Sequence, residues 1–282
     1  MRLFFLTALT MIAFAANSLL NRGAVDLFGM APLTFSGLRV LFGVITLVLL
    51  VRLRSGGMTM DLGSTARWAG GLSLTVYMVG FSMSYQTLDA GLGALVLFGI
   101  VQLTMFSWAV MKGPAPSKRR VIGAVIAFVG LIILLAPAGG QPPDFTGLLY
   151  MCAAGFGWGV YSLLGQRETD PLNASAANFV ISLPLVGVPL LLATPVLVPQ
   201  AVLLAALSGA ITSGLGYALW YHILPQLGAT RAAMAQLTVP LIAVAGGTLA
   251  FSEPLSLQLF LSAGLVLGGL AIGIERKRAA KG

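Results

Sequence analysis

This chain is written as a series of apolar stretches, each about the length of a bilayer-spanning helix, separated by short polar seams. A hydrocarbon core takes about 20 mostly apolar residues per helix. Stretches of that size fall at 3–21, 32–51, 67–87, 90–111, 119–136, 147–166, 175–193, 200–222, 228–251 and 256–274. The stretch at 175–193 is the least regular, because Pro184 and Pro189 each remove a helix hydrogen bond. Hydrophobic residues make up 58% of the 282 and charged residues 9%, whereas a soluble domain carries roughly a quarter charged residues. The expectation is an all-α polytopic membrane protein of ten transmembrane helices.

The net charge of +8 raises the question of nucleic acid, but the basic residues lie where membrane topology needs them. With the N-terminus inside, the inner seams and termini hold Arg2, Arg52, Arg54, Arg67, Lys112, Lys118, Arg119, Arg120, Arg167, Arg231, Arg276, Lys277, Arg278 and Lys281. Only Arg22 and Arg39 fall elsewhere. That asymmetry places both termini in the cytoplasm and leaves no call for a nucleic-acid partner. Residues 1–16 imitate a cleavable secretory signal, with Arg2, an apolar run and Ala13-Phe14-Ala15. They are expected to be retained, because their removal leaves nine spans that the charges do not support. The single Cys152 sits within a span and offers neither a disulfide framework nor a metal cluster; no metal or cofactor is expected.

The second half restates the first. Ser18-Leu19-Leu20 recurs as Ser162-Leu163-Leu164, Gly80-Phe81 as Gly216-Tyr217, and Tyr85 as Tyr221. Ala94, Leu103, Pro116 and Gly130 recur as Ala232, Leu241, Pro254 and Gly268. The register drifts at the loops, as in a diverged duplication. With five spans per half, the copies lie inverted in the membrane, a plan used by transporters. The Pro- and Gly-rich seam from Pro137 to Asp144 divides them, giving repeats at 1–140 and 141–282.

With these features the chain resembles the ten-helix EamA-type transporters of the drug/metabolite transporter superfamily. The likeness is carried by Gly157-Trp158-Gly159 with Tyr161-Ser162, by Arg39 in an Arg-Val-Leu-Phe context, and by Ala232 to Pro240 leading to Ser252-Glu253-Pro254. The first half departs from the pattern, with Ala13-Phe14-Ala15 and Gly113-Pro114-Ala115 at the matching places. The resemblance implies a central cavity lined by helices one, three, four, six, eight and nine, with five and ten at the periphery.

Several side chains are candidates for that cavity. Thr7, Thr10, Phe14, Asn17 and Asn21 share one face of the first helix. A polar stripe there bonds neighbouring helices or walls a cavity, since an unsatisfied group in hydrocarbon costs several kcal/mol. The sixth helix repeats the face with Ala154, Trp158 and Tyr161. Tyr77, Tyr85, Tyr217, Trp220 and Tyr221 add aromatic surface, and Trp68, Trp108, Trp220 and Tyr221 also read as interface belts. Gln102 and Gln236 fall mid-span and need partners for their amides. Arg39 and His222 are the gating or coupling candidates: Arg39 snorkels to the outer surface, bonds loop carbonyls or attracts a substrate carboxylate, and His222 lies at the cytoplasmic end of the eighth span. No Asp or Glu falls near the middle of a span, and Asp89 reads as a helix cap. Gly264 with Gly268, and Gly269 with Gly273, form small-residue pairs suited to internal packing or self-association.

These residues narrow the cargo. Cation exporters of the superfamily use a glutamate in the first helix, where this chain has Phe14 and Trp158. Sugar-phosphate carriers use basic residues within the cavity, of which only Arg39 is present. A neutral or zwitterionic metabolite with an apolar part fits best. The resemblance is greatest to bacterial inner-membrane exporters of aromatic amino acids and methionine, which implies export; the inverted halves suit alternating access, and the expected assembly is a monomer or weak homodimer. Another small neutral metabolite or drug, moved with proton coupling, is the alternative cargo.

Overall fold

The computed structural model describes residues 1–55, 62–112, 117–135, 143–166, 168–192 and 197–273. The seam at Pro137–Gly140, the Gly113-Pro114-Ala115 stretch, Arg167 and the basic cluster from Arg276 to Lys281 lie outside those residues. Among the described residues the regular structure is helical throughout: α1 (Arg2–Arg22), α2 (Pro32–Ser55), α3 (Thr65–Ser84), α4 (Ala90–Lys112), α5 (Lys118–Leu135), α6 (Phe145–Gly165), α7 (Pro171–Leu192), α8 (Pro199–Leu207), α9 (Gly216–Gln236), α10 (Thr238–Phe251) and α11 (Leu257–Gly273).

The helix starts follow from local chemistry. Ser64 accepts the Arg67 N–H to cap α3, and the Asp144 carboxylate accepts the Gly147 N–H at 2.6 Å to cap α6. Pro32, Pro171 and Pro199 occupy first helical positions, where no N–H is needed. Asp89 was expected to cap α4, yet the carboxylate that receives that helix's first N–H groups belongs to Glu253; Asp89 pairs instead with Arg22.

Six helical stretches among the described residues have the length and apolarity to cross a bilayer: Arg2–Leu27, Pro32–Arg54, Ala90–Trp108, Phe145–Gly165, Pro171–Val188 and Pro199–Leu227. The other expected spans are shorter apolar runs, at Val121–Gly130, Thr238–Phe251 and Leu257–Gly273, or, in α3, interrupted by Ser, Thr, Gly and Tyr. Such residues are compatible with hydrocarbon depth when they face other helices, and Ser73, Tyr77, Ser82 and Ser84 of α3 are all buried. One boundary also differs. The chain was expected to break between the eighth and ninth spans near 222–228, but the helix runs on to Gln236 with Pro225 inside it. The break comes at Leu237, because Pro240 has no N–H to give to the Gln236 carbonyl.

Small residues set the packing. α6 lies against both α3 and α4. A Cβ on Gly157 would sit 2.7 Å from the Ser73 carbonyl oxygen of α3, and one on Gly159 would sit 2.8 Å from the Thr104 side chain of α4. The Gly157-Trp158-Gly159 motif is therefore a packing device that brings two neighbours close on either side of Trp158. α2 packs on α7, α5 on α11, α4 on α10, and α1 on both α9 and α10. The outward face carries exposed Phe5, Ile12, Leu49, Phe128, Phe156, Leu203 and Leu249, a surface suited to lipid.

Candidate functional site

Three helices of the first half and two of the second converge on a small cavity walled by Phe14 and Asn17 of α1, Tyr77 and Phe81 of α3, Leu97 and Phe98 of α4, Trp158 of α6 and Tyr217 of α9. Its free space of about 10 Å³ holds about one water. The aromatic walls touch one another: Trp158 stands 4.6 Å from Tyr217 and 5.0 Å from Tyr77 between ring centroids, and Phe14 meets Trp158, Tyr217 and Trp220 edge-on at 5.3–5.7 Å. Edge-on and tilted contacts suit the ring quadrupoles and stabilise the closed wall.

Between α8 and α9 the helix widens into a π turn, Ser208–Leu215. Such turns recur at functional sites because they re-aim side chains. Here the wide turn directs three hydroxyls at one acceptor: Ser208, Thr212 and Ser213 donate to Asn17 Oδ1 at 2.8, 2.5 and 3.2 Å. The same turn presses on α2, where a Cβ on Gly209 would lie 2.2 Å from the Arg39 carbonyl oxygen.

Arg39 is fully buried (0% exposed). Neither snorkelling nor bonding to loop carbonyls describes it. Its Nε donates to Ser213 Oγ at 2.8 Å, and Nη2 donates to Tyr217 at 2.7 Å and to Tyr77 at 3.2 Å. The guanidinium carbon lies 5.2 Å from the Phe81 ring centre and 5.4 Å from that of Tyr77. No carboxylate among the described residues pairs with it.

Of the residues singled out in the sequence, Phe14, Asn17, Tyr77, Trp158 and Tyr217 line the cavity together. Tyr161 stacks behind Trp158 at 5.4 Å, and Tyr221 stacks on Tyr161. Trp220 and Tyr221 are buried, so they are not interface-belt residues, whereas Trp68 and Trp108 are 49% and 41% exposed. Thr10 is buried but bonds back to the Leu6 carbonyl of its own helix. Tyr85 packs against Phe81, one turn beyond the wall. Gln102 and Gln236 lie outside the lining, and both amide atoms of fully buried Gln236 are without partners. His222 is exposed. Sequence reasoning missed Phe81, Leu97 and Phe98. Phe81 was findable one helical turn after Tyr77, while Leu97 and Phe98 sit in a run too uniformly apolar to single them out.

Both ends of the bundle are tied. At one end Arg22 pairs with Asp26 and Asp89 at 3.3 and 3.4 Å, and Glu253 accepts the Ala90 and Gly91 N–H groups at 2.7 and 3.2 Å. Burial raises the Glu253 carboxyl above the usual range, an effect the two backbone bonds partly offset. At the other end Arg67 grips Glu168 in a bidentate pair, and Arg54 pairs with Asp170. The hydrogen bond from Arg54 holds Asp170 below its ordinary value. Among the described residues, no group of three His, Cys, Asp or Glu side chains gathers to hold a metal.

The model of the EamA-like transporter family matches residues 145–274, and an uncharacterized protein of Pseudomonas aeruginosa is 41% identical over 273 residues, 96% of this chain and 94% of that one. The chain belongs to the EamA-like transporter family. It is a multi-pass membrane transporter and not an enzyme. Two further relatives are each named a probable amino-acid metabolite efflux pump: one from Salmonella typhimurium, 24% identical over 96% of this chain and 94% of its own length, and one from Escherichia coli, 25% identical over 91% of each. The same fold occurs in a protein of known crystal structure, with a TM-score of 0.67 at 21% identity, covering 94% of this chain and 98% of that one. In this EamA-like chain the family match covers the half that holds Trp158, the π turn and Glu253.

Proposed function

We propose that this transporter exports amino acids, neutral, aromatic or methionine-like, across the bacterial inner membrane by alternating access. The observation that carries this reading is the aromatic cavity at the junction of the two halves, narrowed to about 10 Å³, in a bundle tied at both ends. No amino acid fits in that space, so a substrate enters only when the walls part on one side. The ties supply what must open: Glu253 to α4 on one side, Arg67 to Glu168 on the other.

The inverted-repeat reading, with halves at 1–140 and 141–282, has support in the helix contacts, while the cytoplasmic placing of both termini rests on the asymmetry of the basic residues. Exchanging each helix for its counterpart turns the α3–α6 contact into α9–α1, and the α4–α6 contact into α10–α1. The C-terminal ends of α1 and α3 meet at the end of the bundle where α6 begins, through Arg22 and Tyr85 and through Thr87 and Asp144. α1 and α6 thus run in opposite directions, as inversion requires. The relatives named as efflux pumps supply the cargo class.

The carboxylates of the described residues all sit at helix ends or in loops, which favours facilitated movement down the solute gradient. Purified protein in liposomes tests this by counterflow across the twenty amino acids: exchange of aromatic residues and methionine without a pH gradient is the expected result, and flux that requires an imposed gradient overturns the uniport version. Glu253, half-buried at a tie point, favours the second reading, a proton-coupled exporter of another small neutral metabolite or drug. That reading predicts counterflow of such solutes and none with amino acids.

A further inference from the structure

The unused hydrogen-bonding capacity around the cavity is all of one kind. Arg39 spends Nε and Nη2 on Ser213, Tyr77 and Tyr217, while its Nη1 is buried without a partner. The Tyr217 hydroxyl accepts from Arg39 and donates to the Tyr77 hydroxyl at 3.0 Å. Tyr77 thereby accepts from both and keeps its own O–H to give. Trp158 Nε1, on the cavity wall, is a buried donor without a partner. On the acceptor side Asn17 Oδ1 is already filled by three hydroxyls, and the unpartnered acceptors of Asn21, Asn178 and Gln236 lie outside the lining.

A guanidinium is always charged, and an ion held in low dielectric without a counter-ion costs several kcal/mol. Here the positive charge stands one hydroxyl behind an aromatic wall with only donors facing inward. We propose that Arg39, acting through the Tyr77 and Tyr217 hydroxyls, makes this cavity a carboxylate site, with the Tyr77 O–H and Trp158 N–H contacting the carboxylate oxygens and the rings of Phe14, Phe81 and Phe98 holding an apolar side chain. Within the proposed function, on which it rests, the inference names the recognised group: the carboxylate is required and the amino group is dispensable. Arg39 is a positioning residue in this account, because it reaches the ligand through the tyrosines.

The test is binding to the purified full-length protein, read by tryptophan fluorescence with four ligands that share one ring: L-phenylalanine, 3-phenylpropionate, L-phenylalaninamide and phenethylamine. The two acids are expected to bind about tenfold or more tightly than the amide and the amine, a difference of about 1.4 kcal/mol. Arg39→Gln is expected to abolish that preference and Arg39→Lys to keep it. Should Arg39→Gln fail to fold, Tyr77→Phe removes the hydroxyl while keeping the ring, and is expected to weaken the acids with little change for the amide. Amide binding equal to the acid, an unchanged acid preference in both Arg39→Gln and Tyr77→Phe, or no binding by any of the four overturns the proposal. If 3-phenylpropionate binds while no amino acid is transported, the amino-acid reading falls and the carboxylate site stands. Transported phenylalanine with equal binding of its amide gives the reverse.

Discussion

Glu253, two residues beyond the end of α10, reaches the first turn of α4 and accepts the Ala90 N–H at 2.7 Å. The contact joins the second half of the chain to the first at a helix N-terminus, where a negative charge is stabilised by the unpaired N–H groups and the helix dipole. Space for it depends on Gly247: a Cβ there would lie 2.1 Å from Glu253 Oε2. Ser252, in the left-handed conformation at φ 56°, turns the chain so that the carboxylate points back.

Glu253→Ala is expected to lower stability by about 1 kcal/mol, the worth of a helix cap, and Gly247→Ala to have a similar effect by displacing the same carboxylate. Because the two act on one contact, the double substitution costs little more than either single one. Thermal melts of the three variants in detergent check this. Additive losses would show that Gly247 serves something other than the Glu253 cap.

The pH response of the two ends has opposite signs. Burial holds the Glu253 carboxyl above its usual range, so the folded protein binds that proton more tightly than the unfolded chain does. The part of its contribution that depends on that proton is complete below the unfolded value, about 4.3 for Glu, and is lost as pH rises through the folded one, whereas the backbone bonds to Ala90 and Gly91 are made by the carboxylate oxygens at neutral pH as well. Asp170, held low by Arg54, contributes stability above its unfolded value and loses it as pH falls through the folded value. The melting temperature of wild type relative to Glu253→Gln is therefore expected to rise between pH 7 and pH 5, while the difference from Asp170→Asn stays level until about pH 4. A flat or falling Glu253 difference contradicts the assignment.

The parts of this architecture that were legible in the sequence are those that rest on repetition. Span positions, the polar face of α1 and the deep aromatics Tyr77, Trp158 and Tyr217 all follow from periodicity and apolar length. The partners were not legible. Nothing local to Arg39 says that Ser213, Tyr77 and Tyr217 surround it, since they come from a distant π turn, from α3 and from α9. The role of Glu253 was hidden for the same reason: a cap is normally sought in the residue preceding its own helix, and Asp89 occupied that place. The aligned glycines of α6 carried a family signal, but only the packed neighbours reveal that Gly157 faces α3 and Gly159 faces α4.

At the opposite end, Arg67 and Glu168 are each only 17% exposed and bond bidentately. Reversing one charge leaves two like charges facing each other at the tie. Arg67→Glu and Glu168→Arg are each expected to cut counterflow about tenfold, and the double reversal to restore most of it, a coupling of about 1–2 kcal/mol. If the double variant is no better than the worse single one, the pair is not a functional tie.

Two adjacent glycines of α11 make opposite predictions. A Cβ on Gly269 would meet the Ala127 nitrogen and the Gly123 carbonyl oxygen of α5, both at 2.6 Å, whereas one on Gly268 has nothing within 4 Å. The small-residue spacing of α11 therefore serves the α5 contact through Gly269, and Gly268 takes no part in it. Backbone atoms cannot move aside as a side-chain tip does. Gly269→Leu is expected to lower stability by about 1–3 kcal/mol through overpacking, and Gly268→Leu to stay within about 0.5 kcal/mol of wild type. Thermal unfolding in detergent compares them directly, and equal losses at the two positions would reject the α5–α11 interface described above.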